Sequence, residues 1–319
     1  MNSKGILLSL GSVNKDIQVR ADRWPEPDET LMAKDLLTIS GGKAANRAYI
    51  ASKLGAPSIL LARLGDDNEA EEALGPLREI GVNLDHTKRL QNQRTGLAMI
   101  TVRPDGKKTI IAAGNANSNW EAGSADEVER VILEAPSNSV LTLDLEIPAS
   151  VVKKALEAAR KRDFWVVFDP SPTSQVKEEY YELADFMTPD LTEAERLVGF
   201  NIETKEDGFN ACEAILKKGA RHALLKMGDK GYIMITDGKS THLPAPDVQV
   251  TDTTGAGDAF AGAFGFALWD GQTPADAMRF AAVASSLAVE TYGSQPAYPD
   301  RNAIENKLAE ISTFESGAK

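Results

Sequence analysis

The sequence predicts an α/β fold, a three-layer sandwich in which a mainly parallel central sheet is flanked by helices. Three observations carry this reading. Short apolar runs at 6–10, 58–62, 140–145, 165–168, 186–188 and 223–226 have the length and composition of strands. Stretches with helical spacing lie between and after them, at 43–54, 69–80, 149–161, 194–197, 205–218, 258–269 and 275–290, so the strands are joined by crossovers and run parallel. Runs such as Trp165-Val166-Val167-Phe168 lack the alternation of a half-exposed strand, as expected where helices cover both faces.

Two segments break the rhythm. Residues 18–39 contain Pro25 and Pro27 and show no crossover helix. Residues 96–117 read as two alternating strands joined at Pro104-Asp105-Gly106, a turn sequence. Both predict a small β-sheet projecting from the main domain, over about 14–40 and 95–118. Such a sheet is either a lid over a site or a surface hairpin.

Composition narrows the function classes. The 319 residues are 42% hydrophobic and 26% charged, enough for a large core in one domain. A net charge of −12 opposes nucleic-acid binding, which needs clustered cations. Cys212 is the single cysteine, and the three histidines, His86, His222 and His242, lack metal-ligand spacing, so a zinc centre is not expected. The first sixteen residues lack the pattern of a secretory signal, and the apolar run 259–269 is too short to span a bilayer. A soluble, cytoplasmic protein is expected.

The chemistry concentrates in three places. Asp252-Thr253-Thr254-Gly255-Ala256-Gly257-Asp258 follows a strand-like run at 248–251 and opens a helix apolar almost all round. A helix start offers unpaired amides and the positive end of the macrodipole to a phosphate, and Asp258 in its first turn is placed to accept a proton. Read alone, Asp258 is more simply a helix cap. The chain has no GxxxxGK[ST] loop, and no glycine follows Gly257 at dinucleotide-fingerprint spacing. In Ser40-Gly41-Gly42-Lys43-Ala44-Ala45-Asn46, a double glycine opens a helix that carries Lys43 and Asn46 on one face. Asn14 and Asp16 follow the first strand and share a face of extended chain, where ligands of parallel sheets bind.

The GGK-AN and DTTGAGD elements, in this order and at this separation, resemble the ribokinase/PfkB family of carbohydrate kinases. The likeness runs from Gly11 to about Gly293, and the pair of signatures is far more specific than either alone. It implies one kinase domain over 1–319 that uses ATP and Mg²⁺ on a small sugar. By this resemblance Asp258 is the general base, and the amides of Gly255, Ala256 and Gly257 hold the transferred phosphoryl group. Asn14, Asp16, Gly42, Lys43, Asn46 and Glu146 match sugar-holding positions, and their joint presence favours a furanose pentose, ribose above all. Ala44 departs from the glycine often seen at its position.

Further positions follow from the same likeness. Asp190 and Glu193 resemble an N-x-x-E element that organises Mg²⁺ and phosphates, with Asp in place of Asn. Thr192 and Glu195 also fit a capping box. Lys226, Gly228 and Gly231 match a strand and hairpin along the nucleotide. Asp252, Thr254 and Gly293 match a monovalent-cation site, potassium in many relatives. Asp169 departs from the asparagine of the nearest relatives. Other acceptors, such as a hexose, a sugar acid or a nucleoside, remain open, as does a sugar-binding protein without catalysis. Exposed lid strands seeking partners predict a homodimer.

Overall fold

The computed structural model describes residues 5–317, so residues 1–4 of the segment read for a leader lie outside it. The strands are β1 (Leu7–Leu10), β2 (Asn14–Arg20), β3 (Asp35–Gly41), β4 (Ser58–Gly65), β5 (Thr87–Leu90), β6 (Gly96–Val102), β7 (Lys108–Ala113), β8 (Val140–Leu143), β9 (Trp165–Phe168), β10 (Phe186–Met187), β11 (His222–Lys226), β12 (Tyr232–Thr236) and β13 (Lys239–Leu243). The helices are α1 (Lys43–Leu54), α2 (Asn68–Glu79), α3 (Ser124–Glu134), α4 (Ala149–Lys161), α5 (Glu178–Leu183), α6 (Leu191–Val198), α7 (Lys205–Lys217), α8 (Ala256–Trp269), α9 (Pro274–Ala288) and α10 (Arg301–Gly317).

Nine strands form the large sheet in the order β13-β12-β11-β10-β9-β8-β1-β4-β5. All its neighbours pair in parallel except β11–β12 and β12–β13. One face is covered by a core that takes Val128, Val151, Leu156, Tyr180 and Ala211 from α3, α4, α5 and α7. The other takes Ile50, Phe260, Phe264, Phe280 and Ile304 from α1, α8, α9 and α10. The expected three layers are therefore present, and each large apolar side chain buried there contributes roughly 1.5–3 kcal/mol.

The smaller sheet has the order β3-β2-β6-β7. β2 runs antiparallel to β3 and parallel to β6, and β6–β7 is the hairpin turned at Gly106. Strand alternation sorts its residues. Asn14, Asp16 and Gln18 lie on one face; Leu36, Met99 and Ile111 lie on the other, where all three are exposed.

Several elements differ from the sequence reading. Residues 248–251 form no strand: the amides of Thr251 and Asp252 bond to Val289 O at 2.8 and 3.1 Å, which ties the segment to the end of α9 instead of a sheet. Helices α3, α5 and α10 and strands β5 and β13 are not marked in the sequence reading, and β12 is covered there only by the hairpin after Lys226. β5 (Thr-Lys-Arg-Leu) has only one buried residue, so no apolar run marks it. The α6 helix starts at Leu191, not 194, because Asp190 caps it.

Candidate functional site

Loops at the carboxyl ends of the parallel strands supply one group of the site residues, as the architecture requires. Asn14 follows β1, Asp144 and Glu146 follow β8, Asp169 follows β9, Asp190 follows β10 and Lys226 ends β11. The small sheet contributes from the opposite side.

Asp16 is buried, and its Oδ1 has no hydrogen-bond partner in the protein. Burial, with the negative charges of Asp258 and Glu146 added, pushes its pKa up to about 8. The double glycine makes room for this arrangement. A Cβ on Gly41 would lie 2.0 Å from Asp16 Oδ2, and one on Gly42, whose φ is +91°, would meet Val13 Cα at 2.6 Å. Asn14 is held by a residue the sequence reading passed over: Asn117 donates from Nδ2 to Asn14 Oδ1 at 2.8 Å and accepts from Val13 N–H at 3.0 Å. No local pattern marks Asn117, since its partners are about a hundred residues away.

Asp258 occupies the first turn of α8. Gly255 at the N-cap has φ +73°, a left-handed conformation that glycine adopts without strain. Asn46 Nδ2 donates to Asp258 Oδ2 at 2.8 Å, joining the two signature elements directly. Close packing of α1 on α8 permits this contact: a Cβ on Gly262 would fall 2.4 Å from Ile50 Cγ2. Ser285 Oγ donates to Ala256 O at 2.9 Å and Tyr298 OH donates to Gly255 O at 3.0 Å. The Ala256 amide already makes a long bond to Thr253 O, at 3.3 Å. Two lysines stand near this turn. Lys226 Nζ would lie 3.5 Å from a Cβ on Gly257, and Lys108, reaching in from β7, donates to Thr253 O at 2.6 Å. Lys108 was not anticipated, and burial pushes its pKa below the usual lysine value against the pull of Asp252 and Asp258.

Beneath the site lies a buried charge network. Arg47 and Asp144, both fully buried, pair at 2.6 Å, and Arg47 and Lys43 stand 3.6 and 3.4 Å from Asp169. Burial alone would raise Asp169, but Lys43, Lys226 and Arg47 outweigh it and hold the carboxyl below its usual value. Asp144 also accepts the amides of Ser12 at 3.3 Å and Glu146 at 3.0 Å, which fixes the backbone that presents Glu146. Burial raises Glu146 to about 7 despite Lys43. Arg47 directly follows the Ser40–Asn46 element and Asp144 lies in the apolar run 140–145, yet only the fold shows them to be partners.

The capping box at α6 pairs Asp190 with Glu193, not Thr192 with Glu195. Asp190 Oδ1 accepts Glu193 N–H and Glu193 Oε2 accepts Asp190 N–H, each at 2.8 Å. Glu195 instead accepts the Ile202 amide. Aspartate at 190 thus has a structural reason as the cap acceptor, and the second oxygen of each carboxylate lies outside the box. The backbones of Asp190 and Lys226 form a parallel bridge, which sets both beside the turn of Gly228 and Gly231 between β11 and β12.

Asp252, Thr254 and Gly293 come together as well. Asp252 is fully buried and accepts from the Thr254 amide at 2.8 Å, the Gly293 amide at 3.0 Å and Gln18 Nε2 at 2.5 Å. Gly293 meets the carboxylate through its N–H. Gln18 Oε1, Thr254 Oγ1 and Ser294 Oγ are buried without partners. Among the described residues Asp252 forms no ion pair. A buried carboxylate flanked by spare oxygens is a donor set that fits a small cation. Among the described residues no three His, Cys, Asp or Glu side chains cluster as a metal centre, and no helix is long and apolar enough to cross a membrane.

A carboxylate in the first turn of a buried helix, joined through Asn46 to a set of buried polar side chains, is the kind of arrangement that an α/β enzyme of phosphoryl transfer to a small hydroxylated acceptor requires. The description "pfkB family carbohydrate kinase" matches residues 6–301, and the chain belongs to that family. It is 35% identical to a ribokinase of Arabidopsis thaliana over 305 residues, covering 93% of this chain and 79% of the relative. Against a ribokinase of Haemophilus influenzae it is 31% identical over 295 residues, 92% and 95% of the two chains. The structure of the Arabidopsis thaliana ribokinase complexed with ribose and ATP superposes with a TM-score of 0.85 at 34% identity, covering 95% and 98% of the two chains. The chain is an ATP-dependent carbohydrate kinase.

Proposed function

We propose that this kinase transfers the γ-phosphoryl group of ATP to the primary hydroxyl of D-ribose, giving ribose 5-phosphate. The observation that carries the proposal is the Asn46–Asp258 hydrogen bond, which sets a carboxylate at the phosphate-binding start of α8 within the electrostatic reach of Asp16 and Glu146. Sugar hydroxyls are held by Asn14, Asp16, the Gly42 backbone, Lys43, Asn46 and Glu146. Asp258 takes the proton of the attacking hydroxyl as its oxygen bonds to phosphorus and the bond to the ADP oxygen breaks. Charge on the transferring group is met by the amides at Gly255, Ala256 and Gly257, with Lys226 alongside. Lys226, Gly228 and Gly231 line the nucleotide.

Asp190 and Glu193 are the residues that would hold Mg²⁺, which would supply charge neutralisation on the phosphates. A monovalent cation, K⁺ by preference, is assigned beside Asp252, Thr254 and Gly293, where its charge would stiffen the turn. The sheet over 14–41 and 96–113 acts as a lid that excludes water from the phosphoryl donor. Its exposed Leu36, Met99 and Ile111 form an apolar face suited to a second copy of the chain, supporting a homodimer.

Nucleoside acceptors are less well served, because Trp24, the aromatic the lid could offer a base, is covered by the Arg103 guanidinium 5.1 Å from its ring. A binding protein without catalysis would not need a base at Asp258. The test is ADP release across pentoses, 2-deoxypentoses, hexoses, sugar acids and nucleosides. Ribose should give the highest kcat/KM; a hexose or nucleoside ahead of it refutes the ribose assignment, and no turnover with any acceptor refutes the kinase.

A further inference from the structure

The loop after α9 touches the catalytic turn at both ends and in the middle. Gly293 N–H bonds to Asp252, Tyr298 OH bonds to Gly255 O, and Gln295 reaches Asp258 through Asn46. Gln295 is buried and donates both hydrogens of Nε2, to Ser40 Oγ at 3.0 Å and to Asn46 Oδ1 at 3.1 Å. Ser40 and Asn46 are buried too.

Donor direction along this chain has a single solution. Ser40 Oγ gives its hydrogen to the backbone carbonyl of Ala73 at 2.6 Å, so toward Gln295 it can only accept. Gln295 must therefore present its NH₂ group, and that group meets Asn46 at its oxygen. With Oδ1 so occupied, Asn46 has Nδ2 directed to the Asp258 carboxylate. A backbone carbonyl of α2 and the carboxylate on α8 thereby impose the same orientation on the Asn46 amide from its two sides, and Gln295 Oε1 is left buried without a partner.

We propose that Gln295 is a positioning residue for phosphoryl transfer: it locks the Asn46 amide in the orientation that holds Asp258 ready as base. This rests on the reading of Asp258 as base. Nothing in the local sequence around Gln295 marks it, since Asn46 is 249 positions away. The charged or titratable groups that act on Asp258 are Asp16, Lys43, Arg47, Lys108, Glu146 and Tyr298, none of which Gln295 itself replaces.

The test compares Gln295→Met and Gln295→Glu in the full chain, with ribose and ATP, for kcat and both KM values. Methionine removes the donor and lets the Asn46 amide turn. Glutamate fills the same space but accepts, drawing Asn46 Nδ2 away from Asp258. Gln295→Met should lower kcat about 10- to 100-fold, the loss of one hydrogen bond to a charged group, with the KM for ATP within about twofold. Gln295→Glu should be worse, although it is the closer match in shape. In an Asn46→Ala background, Gln295→Met should add almost nothing.

If Gln295 only fills space, glutamate is the milder change and the losses add; either result overturns the proposal. Asp258→Asn assayed alongside separates the two readings. If that variant retains turnover, the base is not Asp258, and the coupling of Gln295 to Asn46 is then judged on ribose affinity by calorimetry, where additivity overturns it and non-additivity sustains it.

Discussion

Gly41 offers a way to injure the sugar pocket without touching a sugar ligand. Its φ lies outside the left-handed region, so alanine is compatible with the β3 backbone, yet the new methyl would sit 2.0 Å from Asp16 Oδ2 and 2.2 Å from Asp16 Cγ. The carboxyl group must rotate away, taking with it Oδ1, the buried atom without a protein partner that the proposed function gives to a sugar hydroxyl. One to two hydrogen bonds of about 1.5 kcal/mol each are lost, or about 1.5–3 kcal/mol in total. At about 1.4 kcal/mol per tenfold, the KM for ribose should rise about 10- to 150-fold in Gly41→Ala. The KM for ATP should stay within about twofold, because the proposed function places Asp16 against the sugar and not the nucleotide. A coupled assay of ADP release, with each substrate varied at saturating levels of the other, measures both. A ribose KM within threefold of the parent, or a parallel rise for ATP, would refute the placement of Asp16.

Three further outcomes are expected. Asp258→Asn should lower kcat about 10²- to 10⁴-fold while ribose affinity by calorimetry changes less than about threefold; substantial residual turnover counts against Asp258 as base. Arg47→Met leaves Asp144 buried and unpaired, and urea denaturation should show a loss of about 3–5 kcal/mol. Asp16 and Glu146, raised to about 8 and about 7, keep protons in the folded chain that the unfolded chain releases above about pH 4. The folded state then binds more protons across that window, so their contribution to stability falls as pH rises from about 4 to about 8. Asp16→Asn should lose less stability than the parent between pH 6 and pH 8.5, read from urea midpoints without ligand; equal losses would contradict the burial of an ionisable Asp16.

The amino-acid sequence by itself determined what depends on neighbours in the chain. Apolar runs and helical spacing mark most strands and crossover helices, because period and length are local properties. Two glycine-bounded helix starts, with Asp258 in one and Lys43 and Asn46 in the other, are legible for the same reason. Where local signals were faint they misled: 248–251 reads as a strand but is tied to the end of α9, and the cap of α6 sits at Asp190, which moves the box from Thr192–Glu195 to Asp190–Glu193. Only the tertiary structure decided which side chains meet. Asn117 with Asn14, Arg47 with Asp144, Lys108 with the Thr253 carbonyl and Gln295 with Asn46 are all pairs far apart in the chain, and no periodicity encodes them. Their physical basis is burial: a polar group removed from water must find its partner wherever the fold brings one within about 3 Å.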